Sequence, residues 1–204
     1  MDLLIVRHGR PVRDERGAHE GPADPGLSSV GHEQAQIVAD VLAGEDIDHI
    51  VSSSMARAHE TAMPLALKLG YEIELSDDLR ESDHNSSAYV PVEEISSDSS
   101  IAVAYRQDPM QAIFEGDYEG FRDRVMRGFD SIIEGQAGKT VAVFCHGMVT
   151  AVFIQVIMGM PEPLGIRPDY TGITRVQASA KGHRTLRSVN ETAHVRHLIE
   201  RSTW

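Results

Sequence analysis

Two runs in this chain are apolar at every position, residues 3–6 (LLIV) and residues 141–145 (VAVFC). A strand with one wet face alternates polar and apolar side chains; a strand covered on both faces does not. Both runs therefore ask for packing above and below, which a mostly parallel sheet clad by helices supplies. The intervening sequence agrees. Ser28 caps a helix over 28–44, with Val30, Ala35, Val38, Ala39 and Leu42 at helical spacing. DHIVSS (48–53) reads as a strand, 56–69 as a helix stopped by Gly70, and EIELS (72–76) as a third strand. Phe121, Val125, Phe129 and Ile132/Ile133 place an amphipathic helix over 117–134. An apolar helix over 149–158 follows the 140–145 strand, and a hairpin turns at Lys181-Gly182.

Between Glu81 and Gly120 the pattern is less regular. A helix is predicted over 91–105, stopped before Pro109, and the serines of 86–100 read as a lid or surface loop. Residues 10–26, rich in Gly, Pro and charge, read as a loop. The expected fold is α/β: a three-layer α/β/α sandwich on a mostly parallel sheet, one domain over 1–204 with 82–120 inserted as a cap over the active site.

In open α/β sheets, ligands bind beyond the carboxyl ends of the strands. Arg7-His8-Gly9 directly follow the first run, and His146-Gly147 follow the second. Arg57 lies four residues past DHIVSS, and Glu81 follows EIELS closely. If the strands lie together, these side chains form an electropositive cluster with one carboxylate beside it. Such a set suits a phosphomonoester, which carries about −1.5 to −2 charges near neutral pH. Arginine grips its oxygens in a planar fork and stays charged. An unprotonated histidine can attack phosphorus, a second can donate a hydrogen bond to an oxygen, and a carboxyl group can protonate the leaving alkoxide. Glycine after each histidine would let ligand and backbone approach closely.

These residues resemble the histidine phosphatase superfamily, the phosphoglycerate-mutase-like fold. RHG (7–9), LSSVGHEQA (27–35), SSMARAHETA (53–62), LRE (79–81), FCHGMV (144–149) and NETAHV (190–195) match its motifs in order across almost the whole chain. The resemblance implies that His8 becomes phosphohistidine, that Arg7, Arg57 and His146 cradle the phosphoryl oxygens, and that Glu81 is the acid. It implies no metal and no cofactor. The chain departs from the pattern after RHG, where Arg10-Pro11 replaces the usual Glu or Gln, and after Glu81, where Ser82-Asp83-His84-Asn85 follows. Arg10 has two readings: a contact to a second anionic group of a substrate, or a solvated loop residue.

The expected function is a metal-independent phosphomonoester phosphatase acting on a phosphorylated small molecule. A phosphoglycerate-mutase-type phosphomutase and a phospho-protein binding module without turnover are the rivals. Glu60 and Asp83 are rival carboxylates to Glu81. A net charge of −12 argues against nucleic acid or an anionic membrane as partner. The apolar stretch 148–160 is too short to span a bilayer, and with no basic region before a long apolar segment at the start, a cytoplasmic protein is expected. The 149–158 helix reads as core rather than a membrane or dimer face, and a homodimer stays open. Cys145 lacks the arginine six positions on that a cysteine phosphatase needs, since position 151 is Ala, so it reads as a buried strand residue. His59-Glu60 lacks a second histidine at Met63 for a zinc helix, and His194 with His197 is a poor metal pair.

Overall fold

Successive residues of the first strand pack on opposite helical layers. The computed structural model describes residues 1–15, 21–91 and 94–199. Strand β1 (Asp2–Arg7) sends Leu3 and Ile5 to one face of the sheet and Leu4 and Val6 to the other. Strand β6 (Thr140–Cys145) divides likewise, with Val141, Val143 and Cys145 opposed to Ala142 and Phe144. The first face is covered by α5 (Tyr118–Gly135) and α6 (Gly147–Met158), the second by α1 (Ser29–Leu42) and α2 (Ala56–Leu69). Helix α5 buries Phe121, Val125, Phe129, Ile132 and Ile133, and Phe129 stacks on Phe153 of α6 at 3.9 Å between ring centroids. Each such side chain contributes about 1.5–3 kcal/mol on burial.

The sheet is six-stranded, in the order β4-β3-β6-β1-β7-β8. Strands β3 (His49–Ser53), β4 (Ile73–Ser76), β6 and β1 run parallel. Strand β7 (Ile173–Ala178) pairs antiparallel with β1 and with β8 (Arg184–Glu191), the predicted hairpin, whose turn contains Gly182 at φ 90°. The parallel strands thus present their carboxyl ends at one edge. This is the expected α/β sandwich.

Three local expectations are corrected. The 10–26 loop contains a two-residue strand, β2 (Asp14–Glu15), paired antiparallel with β5 (Ala88–Tyr89); residues 16–20 lie outside the described residues. The helix predicted over 91–105 begins only at Ser100 as α3 (Ser100–Gln107), where Ser99 accepts from the Ala102 N–H, and residues 92–93 lie outside the described residues. Serines bond their own backbone in place of the helical ladder, which delays the start until one can cap it. Pro109 does not merely stop that helix. It opens a further one, α4 (Pro109–Phe114), at a position where a missing N–H costs nothing, and Asp108 caps it. Among the described residues no helix is long and apolar enough to cross a membrane.

The start of α1 is wedged against the loop after β1. A Cβ on Gly31 would stand 2.1 Å from the Arg10 carbonyl oxygen, and one on Gly9 2.6 Å from the Gly31 oxygen. Backbone meets backbone here, so neither side can yield. Gly31→Ala gains about 1 kcal/mol of helix propensity but suffers overpacking of typically 1–3 kcal/mol or more. The expected net result is a loss of about 2 kcal/mol in chemical denaturation, while Gly44→Ala, whose Cβ would sit 3.5 Å from the Val41 oxygen, leaves stability unharmed. Equal stability of the two variants would refute the wedge.

Candidate active site

Four strand ends deliver the five side chains singled out from the sequence. Arg7 ends β1 and His8 follows it; the His8 N–H still donates to the Cys145 carbonyl at 2.9 Å, extending the ladder one step. His146 follows β6 and immediately precedes α6. Arg57 stands at the second position of α2, four residues beyond β3. Glu81 comes after β4 through a short 3-10 turn, Asp77–Leu79. The His8 and His146 rings lie 5.1 Å apart between centroids. The Arg57 charge acts on both histidines and on Glu81, so the five form one group.

Local contacts set the proton on His8. Its Nδ1 lies 2.7 Å from the Gly9 carbonyl oxygen, which can only accept, so Nδ1 carries hydrogen and Nε2 keeps a free lone pair. Burial, then the Arg57 and Arg7 charges, push His8 well below the ordinary imidazole range, overcoming the Gly9 bond, and the ring is neutral at pH 7. The loop is fixed from three sides. The Gly9 N–H donates to Thr61 Oγ1 at 2.9 Å, the Arg10 N–H donates to Gln34 Oε1 at 2.9 Å, and Ser28 donates to the Arg10 carbonyl at 2.9 Å through its hydroxyl and again through its backbone N–H. Gly9 therefore serves the close approach of α1. Gly147 is under no such constraint, because a Cβ there would find Arg7 Nε at an ordinary 3.6 Å.

His146 is oriented in the opposite sense. Its Nε2 lies 2.8 Å from Ser53 Oγ, which also accepts from the Met55 N–H at 3.3 Å. The Ser53 hydroxyl, with one hydrogen and two lone pairs, is able to donate to His146 Nε2, and in that tautomer the ring proton resides on Nδ1. Burial, then Arg57, His8 and Arg7, keep this ring neutral too. Among the described residues His146 Nδ1 is buried without a partner, as are Arg7 Nε, Arg57 Nε and Arg57 Nη1. In that tautomer four orphaned donors stand on three adjoining side chains, costly by themselves at about 1–3 kcal/mol each, and an anion would satisfy them.

The arginines are held by what they do touch. Arg7 Nη1 donates to the Pro168 carbonyl at 2.8 Å and its guanidinium lies 4.1 Å over the Tyr170 ring. Arg57 is fully buried, donates to Asp83 at 2.8 Å, and lies 4.7 Å over the Tyr89 ring. Asp83, a rival carboxylate, is thus committed to Arg57. Glu60, the other rival, accepts from the Leu27 N–H at 2.7 Å. Glu81 accepts from Ser82 N–H at 3.0 Å and Met148 N–H at 2.9 Å. Burial, then the Asp83 charge, nevertheless raise its pKa above the usual carboxylate range, against the pull of those two amides and Arg57. Arg124 of α5 ties the turn that carries it, donating to the Asp78 and Arg80 carbonyls at 3.0 and 2.8 Å.

Sequence reasoning missed Ser53 as a partner of His146, the two tyrosines under the arginines, the Pro168 carbonyl, and Arg124. Ser53 was open to discovery, since it begins the SSMARAHETA segment; the others lie in stretches without a motif. Arg10 ion-pairs with Glu94 at 3.1 Å, and its side chain is only 18% exposed, so it does not stand in solvent. Cys145 is buried and its thiol is pushed up to about 12 by that burial, which fits the structural reading. His194 donates from Nε2 to the Thr171 carbonyl at 3.1 Å, and the Thr171 N–H donates to the Arg7 carbonyl at 3.0 Å, so the closing NETAHV segment steadies the Arg7 backbone. Among the described residues no three His, Cys, Asp or Glu side chains gather as metal ligands would.

A sequence model described as the histidine phosphatase superfamily (branch 1) matches residues 3–192. A bifunctional protein of Mycobacterium tuberculosis is 31% identical over 202 residues, which is 95% of this chain; the chain spans only 54% of that protein's length. A Yersinia enterocolitica protein named "Probable phosphoglycerate mutase GpmB" is 27% identical over 167 residues, 79% of this chain and 76% of that one. The crystal structure of an Entamoeba histolytica phosphoserine phosphatase mutant superposes with a TM-score of 0.73 at 23% identity, covering 95% of this chain and 98% of that chain, and shares the fold.

Proposed function

We propose, from the premise that the chain belongs to the histidine phosphatase superfamily, branch 1, that it is a phosphomonoester phosphatase that needs no metal and works through a phosphohistidine on His8. The observation that carries this reading is the set of four buried nitrogens without partners among the described residues, on Arg7, Arg57 and His146, beside a neutral His8 with a free Nε2.

His8 Nε2 attacks phosphorus and the P–N bond forms as the bond to the leaving oxygen breaks. That oxygen takes the bond's electron pair and the proton of the Glu81 carboxyl. The ring, now carrying both the phosphoryl group and the Nδ1 hydrogen, shares its positive charge with the Gly9 carbonyl. The two guanidiniums and the His146 Nδ1–H bear the charge on the phosphoryl oxygens. Water then attacks phosphorus and gives its proton to the Glu81 carboxylate; the P–N pair returns to His8 and phosphate departs. The raised pKa of Glu81 supports its role, since a carboxyl that holds its proton toward neutral pH is an acid ready to donate. Residues 82–120 act as a cap, bringing Tyr89 and Asp83 to Arg57.

The likeness to a phosphoglycerate mutase supports a second reading, return of the phosphoryl group to an alcohol of a substrate. It uses the same phosphohistidine, so one experiment examines both. The enzyme is mixed with phenyl phosphate and quenched in alkali, where an N–P bond survives. Mass analysis should find the phosphoryl group on the peptide containing His8, its decay in water should yield inorganic phosphate, and the turnover rate should persist in EDTA. A phosphoryl group on another peptide during turnover, transfer only to an added alcohol, or activity lost in EDTA and restored by a metal would each overturn the proposal.

A further inference from the structure

A cavity of about 420 Å³ opens beside Glu81. Arg7, Glu81, Gly147 and Met148 form its reactive pole. The remaining wall is mostly apolar: Ile95, Ile101, Tyr105, Ile113, Leu164 and Ile166. Among the described residues Arg167 is the one further charged side chain lining it, beside Arg7 and Glu81. Ile101 and Tyr105 are four apart on α3 and share a face. They remain 51% and 38% exposed, so apolar surface is left uncovered next to the reacting groups.

The proposed reaction ties this wall to one part of the substrate. If Glu81 protonates the leaving oxygen, that oxygen lies against its carboxyl and the alcohol it belongs to extends into the cavity that Glu81 lines. We infer that the substrates are phosphate monoesters of bulky apolar alcohols, aromatic or long aliphatic, rather than of small charged ones such as serine or glycerate. The inference rests on the phosphatase reading of the same site. A cavity this size takes a drug-sized group. A charged amino acid or glycerate group would leave most of it wet and would set most of its polar surface against isoleucine and leucine, with the Arg167 guanidinium and the Tyr105 hydroxyl as the polar groups of that wall.

Alkyl phosphates test this without changing the chemistry, because the basicity of the alcohol barely varies with chain length. The kcat/KM should climb about two- to fourfold per methylene, on the order of 10²-fold from ethyl to hexyl phosphate. Hexyl phosphate should outrun phosphoserine and 3-phosphoglycerate. Ile101→Asp, at a half-exposed position that the fold tolerates, should flatten the series, and Ile101→Val should keep most of its slope. Ethyl- and hexylphosphonate, which cannot be hydrolysed, read binding alone through inhibition or thermal shift. A flat ester and phosphonate series in an enzyme that turns over would overturn the inference and leave the phosphatase reading standing, as would phosphoserine outrunning hexyl phosphate. A slope that survives Ile101→Asp would also overturn it. Graded phosphonate binding without turnover of any ester would do the reverse, sinking the phosphatase reading while supporting the apolar site.

Discussion

Replacing His8 with alanine is expected to lower kcat/KM for phenyl phosphate by roughly 10⁴–10⁶-fold, the scale on which removing an enzymatic nucleophile acts. The loss should fall on chemistry alone. Arg7, Arg57 and His146 keep their own anchors on Pro168, Asp83 and Ser53, so the phosphate cradle survives the change. Inorganic phosphate should therefore still raise the melting temperature of the variant, and no phosphoryl adduct should form on it. The two readouts separate the roles. A variant within tenfold of the wild type would end the nucleophile assignment. Loss of activity together with loss of phosphate binding would make His8 a structural member of the cradle instead. The ring is neutral because burial and two arginines hold its pKa low, so protonation switches the nucleophile off only at pH well below the ordinary imidazole range. The wild-type rate should accordingly hold as pH falls through that range, and fail only further down.

The parts of this molecule that were legible in its sequence share a cause. Burial on both faces abolishes alternation, so residues 3–6 and 141–145 announce a covered parallel sheet, and Leu3 and Leu4 do part to opposite helical layers. A sheet with parallel strands puts its strand ends together, so charged side chains at those ends converge whatever their distance in sequence; Arg7, His8, Arg57, Glu81 and His146 could be gathered on that rule alone. What was not legible depends on contacts that leave no pattern. The Pro168 carbonyl that holds Arg7 is backbone and has no sequence signature. Tyr89 reaches Arg57 because a two-residue strand pairs with another 74 residues away, too short a run for periodicity to reveal. Gly9 misled for a different reason. Glycine after a catalytic residue suggests room for a ligand, but the group that needs the room is the Gly31 carbonyl. The helix predicted over 91–105 starts late because serine hydroxyls favour local backbone bonds over the helical ladder until Ser99 can cap it.

Glu81→Gln gives the second large effect, and its size should depend on the substrate. The Ser82 and Met148 amides are accepted by different Glu81 oxygens, so the single oxygen of glutamine keeps one of the two bonds, and the side chain has no acidic proton to release. For hexyl phosphate, whose alkoxide is too basic to leave unprotonated, the rate should fall by roughly 10²–10⁴-fold, the usual contribution of general acid catalysis. For nitrophenyl phosphate, whose phenolate departs unaided, the first step should barely change. Any remaining loss there reports dephosphorylation, in which Glu81 accepts a proton from water. The pH profile carries the sign. Burial and the Asp83 charge raise the Glu81 pKa, so the carboxyl keeps its proton to higher pH than an ordinary glutamate and loses it as pH rises further. Wild-type hydrolysis of hexyl phosphate should decline along that alkaline limb, and the limb should vanish in Glu81→Gln. Equal losses on the two esters would remove Glu81 as the acid. Persistence of the alkaline limb in the variant would do the same, and Asp83→Asn would then be the variant to lose it. Against that outcome stands the Arg57 pair, in which an Asp83 carboxylate oxygen is already taken by a buried guanidinium at 2.8 Å.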